Sequence, residues 1–249
     1  MIVREQSSTF LLITQPEHGR LAGEIVAATR SEPASLGPER ETVLLACHEH
    51  DNGWTEVDAE PTVDPRTGRP YDFMSGPLHI KHEIWVRGIT RVARSSPRAA
   101  ALVAEHALTV YAYRRDEHSW ASFFASITAL RDELLSQVGA TTRHARDMFE
   151  SEYRCVRLGD SWSLQFCNAW HQRQETLGYT ATLEAGTLII SPDPFAGATV
   201  PLQIEGSAIP ARRYSSDAEL RAALNESARV TVRGVARGPR PSLGGSECR

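Results

Sequence analysis

The stretch LLACHEHDNGW, Leu44 to Trp54, places His48, His50 and Asp51 directly after an apolar run and directly before an Asn-Gly pair. A His-Asp dipeptide at the end of an apolar helix can be one half of a metal site, since both side chains offer lone pairs to a single ion. It can equally be a helix end that happens to carry a histidine. With 9 His and 10 Asp in 249 residues, random placement gives such a pair in roughly one of three chains. The dipeptide alone therefore decides little, and its meaning depends on what the rest of the chain can bring to it.

Val43, Ala46 and Cys47 precede His50 at helical spacing, and Leu44 and Cys47 precede Asp51, so both side chains face inward at the end of one helix. The pattern predicts that helix from about Glu39, with Gly53 as a left-handed stop just past the dyad. An ion there would meet the partial negative charge of a helix C-terminus. Working outward, IVRE and FLLIT read as two short strands about a Ser7-Ser8 turn. Gln15-Pro16-Glu17 opens a helix that runs to about Thr29, and SEPASLGPER is a loop. The stretch 55–77 carries four prolines; Tyr71, Phe73 and Met74 argue for a packed loop over disorder.

Helical periodicity resumes over 78–95, 97–114, 117–138, 142–152 and 161–174. After Gly178 the texture turns to β-branched runs punctuated by Gly and Pro, with one helix in SDAELRAALNES capped by Ser216 or Asp217. The tail 238–249 reads as disordered. The expected fold class is α+β: a mainly helical domain over 1–177 that includes two N-terminal strands, and a smaller β-rich part over 178–237 that those strands join.

A net charge of −4 gives no reason to expect nucleic acid or an anionic membrane as the main partner; a small-molecule substrate is the expectation, with homo-oligomerisation left open. Lys81 is the only lysine and every other cation is arginine, which reads as coding bias or as a selected role for Lys81 beside His82. Cys47, Cys155, Cys167 and Cys248 form no C-x-x-C pair and no dense framework, which suits reduced thiols. The N-terminal apolar run is too short for a signal sequence and no later run is long enough for a span, so the expected location is the cytoplasm.

Metal ligands must converge, so each candidate is judged by whether it faces the inside of its own helix. His18 is in line with Leu21, Ala22 and Ile25; His82 with Leu78, Trp85, Val86 and Ile89; His106 with Leu102, Val103 and Val110; Asp160 with Leu164 and Cys167. Each alone has an ordinary explanation, a satisfied core histidine or, for Asp160 in GDSWS, an N-cap. Taken together they gain force, because a cation is one of the few things that compensates several buried polar groups at once. His171 lies eleven residues beyond Asp160, roughly 16 Å along a helix, and cannot share its ion. His118 and His144 sit in polar surroundings, while His48 and His79 are candidates to orient the ligating imidazoles. Trp54 and Trp85 read as core.

In chain order the set His18, His50-Asp51, His82, His106, Asp160 resembles the H…HD…H…H…D pattern of the HD-domain superfamily, helical metal-dependent phosphohydrolases and their oxygenase relatives. The resemblance implies that His18, His50, Asp51 and Asp160 hold one ion and His82 and His106 a second, with Asp51 bridging. His79 and Glu83 stand beside His82 as rivals for its place. ITQPEHGRLAG, HEHDNGW, DPRTGRPYDF, HEIWVRGI, EHALTVY, DSWSLQFC and SPDPF are more closely similar to an uncharacterised bacterial family catalogued as a domain of unknown function.

His and Asp ligands suit one or two divalent ions such as Mn, Fe, Zn, Ni or Co, and a phosphate ester is the natural substrate of such a site. Asp51, Lys81 and Arg87 are the candidate catalytic residues. Arg20, Arg66, Arg69 and Tyr71 are candidates to bind substrate, the last three from a loop that could cover the metals. The alternatives are a di-iron oxygenase and a metal-binding module that turns nothing over. No G-x-S-x-G elbow or P-loop is present to support a serine hydrolase or a nucleoside triphosphatase.

Overall fold

A computed structural model of the chain describes residues 1–31, 37, 39–140 and 142–240. Most of the predicted tail, with Cys248, and much of the SEPASLGPER loop lie outside the described residues. The chain opens with β1 (Ile2–Glu5) and β2 (Thr9–Ile13), then α1 (Gln15–Ala27), whose cap Thr14 accepts a hydrogen bond from the Glu17 amide. The dyad helix is α2 (Arg40–Glu49), followed by a single 3-10 turn over Asn52–Trp54 and the short α3 (Thr55–Ala59). A two-stranded hairpin, β3 (Val63–Asp64) and β4 (Arg69–Pro70), organises the Pro-rich stretch. Then come α4 (Leu78–Ala93), α5 (Pro97–Val110), α6 (Ala121–Gln137) and α7 (Arg143–Asn168).

The sequence PRAAALVAEHAL makes α5 small and apolar all round, and a helix of that kind belongs in the middle. Ala99, Ala100, Ala101, Leu102, Val103, Ala104 and Ala107 are all fully buried, with α2, α4, α6 and α7 packed around them.

Two close helix contacts rest on glycines. Gly53 is not the expected left-handed stop of α2: a Cβ there would stand 1.9 Å from the Ile84 carbonyl oxygen, so its missing side chain is what lets α4 lie against the turn beyond the dyad. The helices expected over 142–152 and 161–174 are one, with Gly159 inside it. A Cβ at that position would come within 2.7 Å of Val26 Cγ2 and 3.1 Å of the Ala22 carbonyl oxygen, so α1 and α7 cross closely there. Helix α7 therefore runs unbroken for 26 residues and ends at Ala169, at φ 54. Asp160 consequently lies inside a helix and is no N-cap, and His171 lies past the helix end, its Nδ1 against the Leu183 carbonyl at 2.9 Å.

After α7 come β5 (Gln174–Thr176), β6 (Tyr179–Glu184), β7 (Thr187–Ser191), β8 (Val200–Pro210), α8 (Asp217–Asn225, capped by Ser216) and β9 (Ala228–Arg237). They form one seven-stranded sheet with the N-terminal strands, in the order β1-β2-β8-β9-β7-β6-β5. The two ends of the chain meet where β2 pairs antiparallel with β8, from Thr9 opposite Pro210 to Leu12 opposite Ser207, and only β7 and β9 run parallel.

The fold is thus mixed α+β. Helices α1 and α7 are the layer between sheet and bundle: Leu21, Ile25, Leu158, Trp162 and Phe166 pack on Ile2, Leu11, Ile13, Ile190 and Ile204. Val26 and Val156 face the bundle core instead. Among the described residues no helix is long and apolar enough to cross a membrane.

Candidate metal centre

Four helices deliver five side chains to one point. His18 comes from the second turn of α1, His50 and Asp51 from the end of α2, His106 from α5 and Asp160 from α7; all five are buried. His18 Nε2 lies 3.1 Å from His50 Nε2, 3.3 Å from Asp160 Oδ1 and 3.7 Å from Asp51 Oδ2. His50 Nε2 is 3.4 Å from Asp51 Oδ2 and 3.7 Å from Asp160 Oδ1. His106 Nε2 approaches Asp160 Oδ2 at 3.8 Å.

The outer ring nitrogens are committed. His50 Nδ1 donates to the Cys47 carbonyl at 2.8 Å. His18 Nδ1 lies 2.8 Å from Ser163 Oγ, whose own proton goes back to the Gly159 carbonyl at 2.8 Å, so the ring donates and the hydroxyl accepts. Both imidazoles therefore aim an Nε2 lone pair at the other across 3.1 Å, an arrangement that needs a proton or a cation between them.

Ligands about 2.1 Å from a tetrahedral ion stand ~3.4 Å from one another. Five of the six separations among His18, His50, Asp51 and Asp160 run from 3.1 to 3.7 Å, the range expected of donors that share an ion. The residues present fit a divalent ion, and His18, His50 and Asp51, or His50, His106 and Asp160, each form a converging trio.

The electrostatics agree. Burial opposes charge on His50, but the Asp51 and Asp160 carboxylates outweigh it and push its pKa up to about 10. Burial raises Asp51 and Asp160 too, but the neighbouring histidines win: His50 then His18 for Asp51, His106 then His18 and His50 for Asp160, which falls well below the carboxylate range. Burial holds His106 neutral, lowering it to about 3 despite Asp160. The cluster thus keeps its carboxylates ionised and calls for positive charge.

The remaining sequence candidates lie elsewhere. His82 is turned to α6, with Nε2 2.8 Å from Ser126 Oγ and its ring against Phe123. The buried face of α4 is Lys81, Ile84, Trp85, Gly88, Ile89 and Val92, a stripe that runs to one side of His82, while Val86 is exposed. His79 and Glu83 are exposed as well, so neither takes its place. Arg87 donates twice to the Gly53 carbonyl and pairs with Glu56. Arg20 is held by Glu17, Glu24 and the Gln203 carbonyl on the sheet side.

Arg66 is an exposed turn residue on Asp64, and Arg69 pairs with Glu5 over the Phe10 ring. Tyr71 lines a different cavity, beside Met1, Trp54 and Asp58. The 55–77 loop does reach the cluster, but through Phe73 and Met74, because its arginines are spent on the hairpin turn and on β1. His48 packs on α1 at Gly23, and His118 and His144 are exposed.

A cavity of about 310 Å³ opens beside the cluster, with Asp51, His106 and Asp160 in its wall. Lys81 and Arg157 bring it two cations. Lys81 is buried, its Nζ 2.8 Å from the Met74 carbonyl oxygen, with burial lowering its pKa. Arg157 donates to Asp160 Oδ2 at 2.7 Å. Gln15 lines the same cavity with a buried, unpartnered Oε1, while its backbone N–H donates to Asp58 Oδ2 at 2.6 Å. The sequence reading missed Arg157, Gln15, Ser163 and Tyr153, whose hydroxyl is 3.4 Å from His106 Nδ1. Arg157 and Ser163 carry a usable signal, at i−3 and i+3 of Asp160 on one helix, and Gln15 stands at i−3 of His18.

A sequence profile of the family described as "Protein of unknown function (DUF3891)" matches residues 1–211, from β1 through the whole of β8. No curated protein and no solved structure matches the chain.

Proposed function

The chain belongs to the DUF3891 family, and within it we propose a metal-dependent phosphohydrolase of HD type, acting on a phosphorylated small molecule through a single divalent ion. The observation that carries the reading is the pair of converging trios, His18-His50-Asp51 and His50-His106-Asp160, beside a cavity that also holds Lys81 and Arg157. An ion held by three of these side chains would keep a position open for water and would supply Lewis acidity, favouring a water nucleophile at neutral pH and a polarised phosphoryl oxygen.

The chain's own groups do the rest. The ammonium of Lys81 and the guanidinium of Arg157 bind the equatorial phosphoryl oxygens and stabilise the charge that spreads onto them. Arg157 also keeps Asp160 ionised and oriented. Gln15 Oε1 accepts a hydrogen bond from the attacking water and orients it. Ser163 and the Cys47 carbonyl fix the tautomers of His18 and His50. A di-iron oxygenase would require a second ion on His82 and His106; His106 faces the cluster, but His82 is bonded to Ser126.

The reading is tested on protein purified without chelator or nickel affinity. Elemental analysis is expected to find about one equivalent of Mn, Zn, Fe, Co or Ni per chain, with turnover of simple phosphomonoesters. Both should be lost in Asp51→Asn. Two coupled irons per chain, or full turnover after chelation, would overturn it.

A further inference from the structure

Five large hydrophobic side chains are exposed among the described residues, and two of them, Met74 at 56% and Tyr113 at 72%, line the cavity beside the His/Asp cluster. Met74 is carried by the turn after β4, where the Asp72 carboxylate accepts from the Met74 and Ser75 amides and Lys81 Nζ holds the Met74 carbonyl. Tyr113 is carried by the 3-10 turn after α5, its ring covered on one face by the Arg114 guanidinium, 5.1 Å from the centroid. Phe73, Trp85 and Tyr111 line the same cavity. Solvent-facing apolar side chains on an aromatic-lined cavity cost hydration unless a ligand covers them.

We infer that Met74 and Tyr113 are specificity residues that grip an aromatic ring at the end of the substrate away from the phosphate. This rests on the phosphohydrolase reading above and narrows its substrate to small phosphate monoesters bearing a flat apolar group. Arg157 donates to Asp160 at the cluster, and Trp85 and Tyr111 line the same cavity as Met74 and Tyr113, so a phosphate and a ring each find matching groups. At about 310 Å³ the cavity lies at the small end of small-molecule sites, room for a phosphate and one ring system.

The test compares 2-phenylethylphosphonate with ethylphosphonate, which share the anionic head and differ in the ring. Binding to the metal-loaded wild type and to the Met74→Ala/Tyr113→Ala double variant is followed by calorimetry. Because both side chains are more exposed than buried, the variant should fold and keep its metal, which circular dichroism and elemental analysis verify. The wild type should bind the phenyl compound about ten-fold tighter. The variant should lose that preference while its Kd for ethylphosphonate stays within about two-fold, and Tyr113→Phe should keep it.

Equal affinity for the two probes, no binding of either, or a preference that survives in the double variant would overturn the inference. Turnover of the matching phosphate esters is scored separately. Ring-dependent binding without turnover would sink the hydrolase reading and leave the rim standing; turnover with no ring preference would do the reverse.

Discussion

His50 and His82 show how one residue's neighbours decide its role. Both are histidines on amphipathic helices with apolar residues at helical spacing. His50 ends α2 with its Nδ1 tied to the Cys47 carbonyl and its Nε2 aimed at His18; His82 falls just off the buried stripe of α4 and meets a serine on α6. The residue-scale prediction follows from this contrast. His50→Ala should abolish metal uptake, since His50 belongs to both converging trios and its loss leaves neither complete. His82→Ala should leave metal content unchanged, apart from a stability loss of about 1 kcal/mol for the Ser126 bond. Elemental analysis and thermal melts measure both; loss of metal in His82→Ala would put a second ion back in play.

At the scale of elements, the centre depends on how closely helices can approach. The Asn52–Trp54 turn is pressed onto α4 through Gly53, and α1 onto α7 through Gly159, and those two crossings set the positions of the dyad, His18 and Asp160. Gly53→Ala would drive a methyl group into the Ile84 carbonyl, where only backbone movement can relieve the clash. The expected loss is about 3 kcal/mol, or a Tm lower by roughly 6–12 °C for a chain of this size, together with weaker metal binding. Ala at Gly139 should cost far less. Its φ of 67 carries some strain, but no neighbour lies within 4 Å of the new Cβ. Equal effects of the two substitutions in a thermal melt would contradict this account.

For the whole molecule, the cluster's charge couples stability to pH and to metal. His50 is raised to about 10, so without metal its contribution is complete below the unfolded value of about 6.5 and is lost as pH climbs through 10. His106 is lowered to about 3, so its contribution is present above about 6.5 and is lost as pH falls toward 3. Asp51 and Asp160 are lowered too, which adds a loss in acid.

The two histidines oppose each other, and the metal-free protein should be most stable near pH 6–7, with Tm falling on both sides. Metal replaces the proton between the imidazoles, so saturating Zn²⁺ or Mn²⁺ should remove the alkaline fall. Near neutral pH it should raise Tm by roughly 8–16 °C when present at about a thousand times its Kd. Melts across pH with and without metal read this directly; an unchanged alkaline limb would remove the ion from between His18 and His50.

The sequence by itself determined the elements and most of the centre. Apolar spacing marked α1, α2, α4 and α5 and put His18, His50, Asp51, His106 and Asp160 on inward faces, because a helix turns each residue by a fixed angle and burial selects one stripe. β-Branched runs punctuated by Gly and Pro likewise announced the C-terminal strands. Tertiary structure alone decided what lay between elements. Whether 142–152 and 161–174 were two helices or one, whether Gly53 turned the chain or touched α4, and whether His82 or Lys81 faced the cavity all depended on which surface packed opposite. Periodicity fixes a stripe only to within about one residue, some 100° of helix. Arg69 was lost to the site for the same reason, since its partner Glu5 lies on the first strand and only folding brought it within reach, whereas Arg66 turns back on Asp64 two residues away.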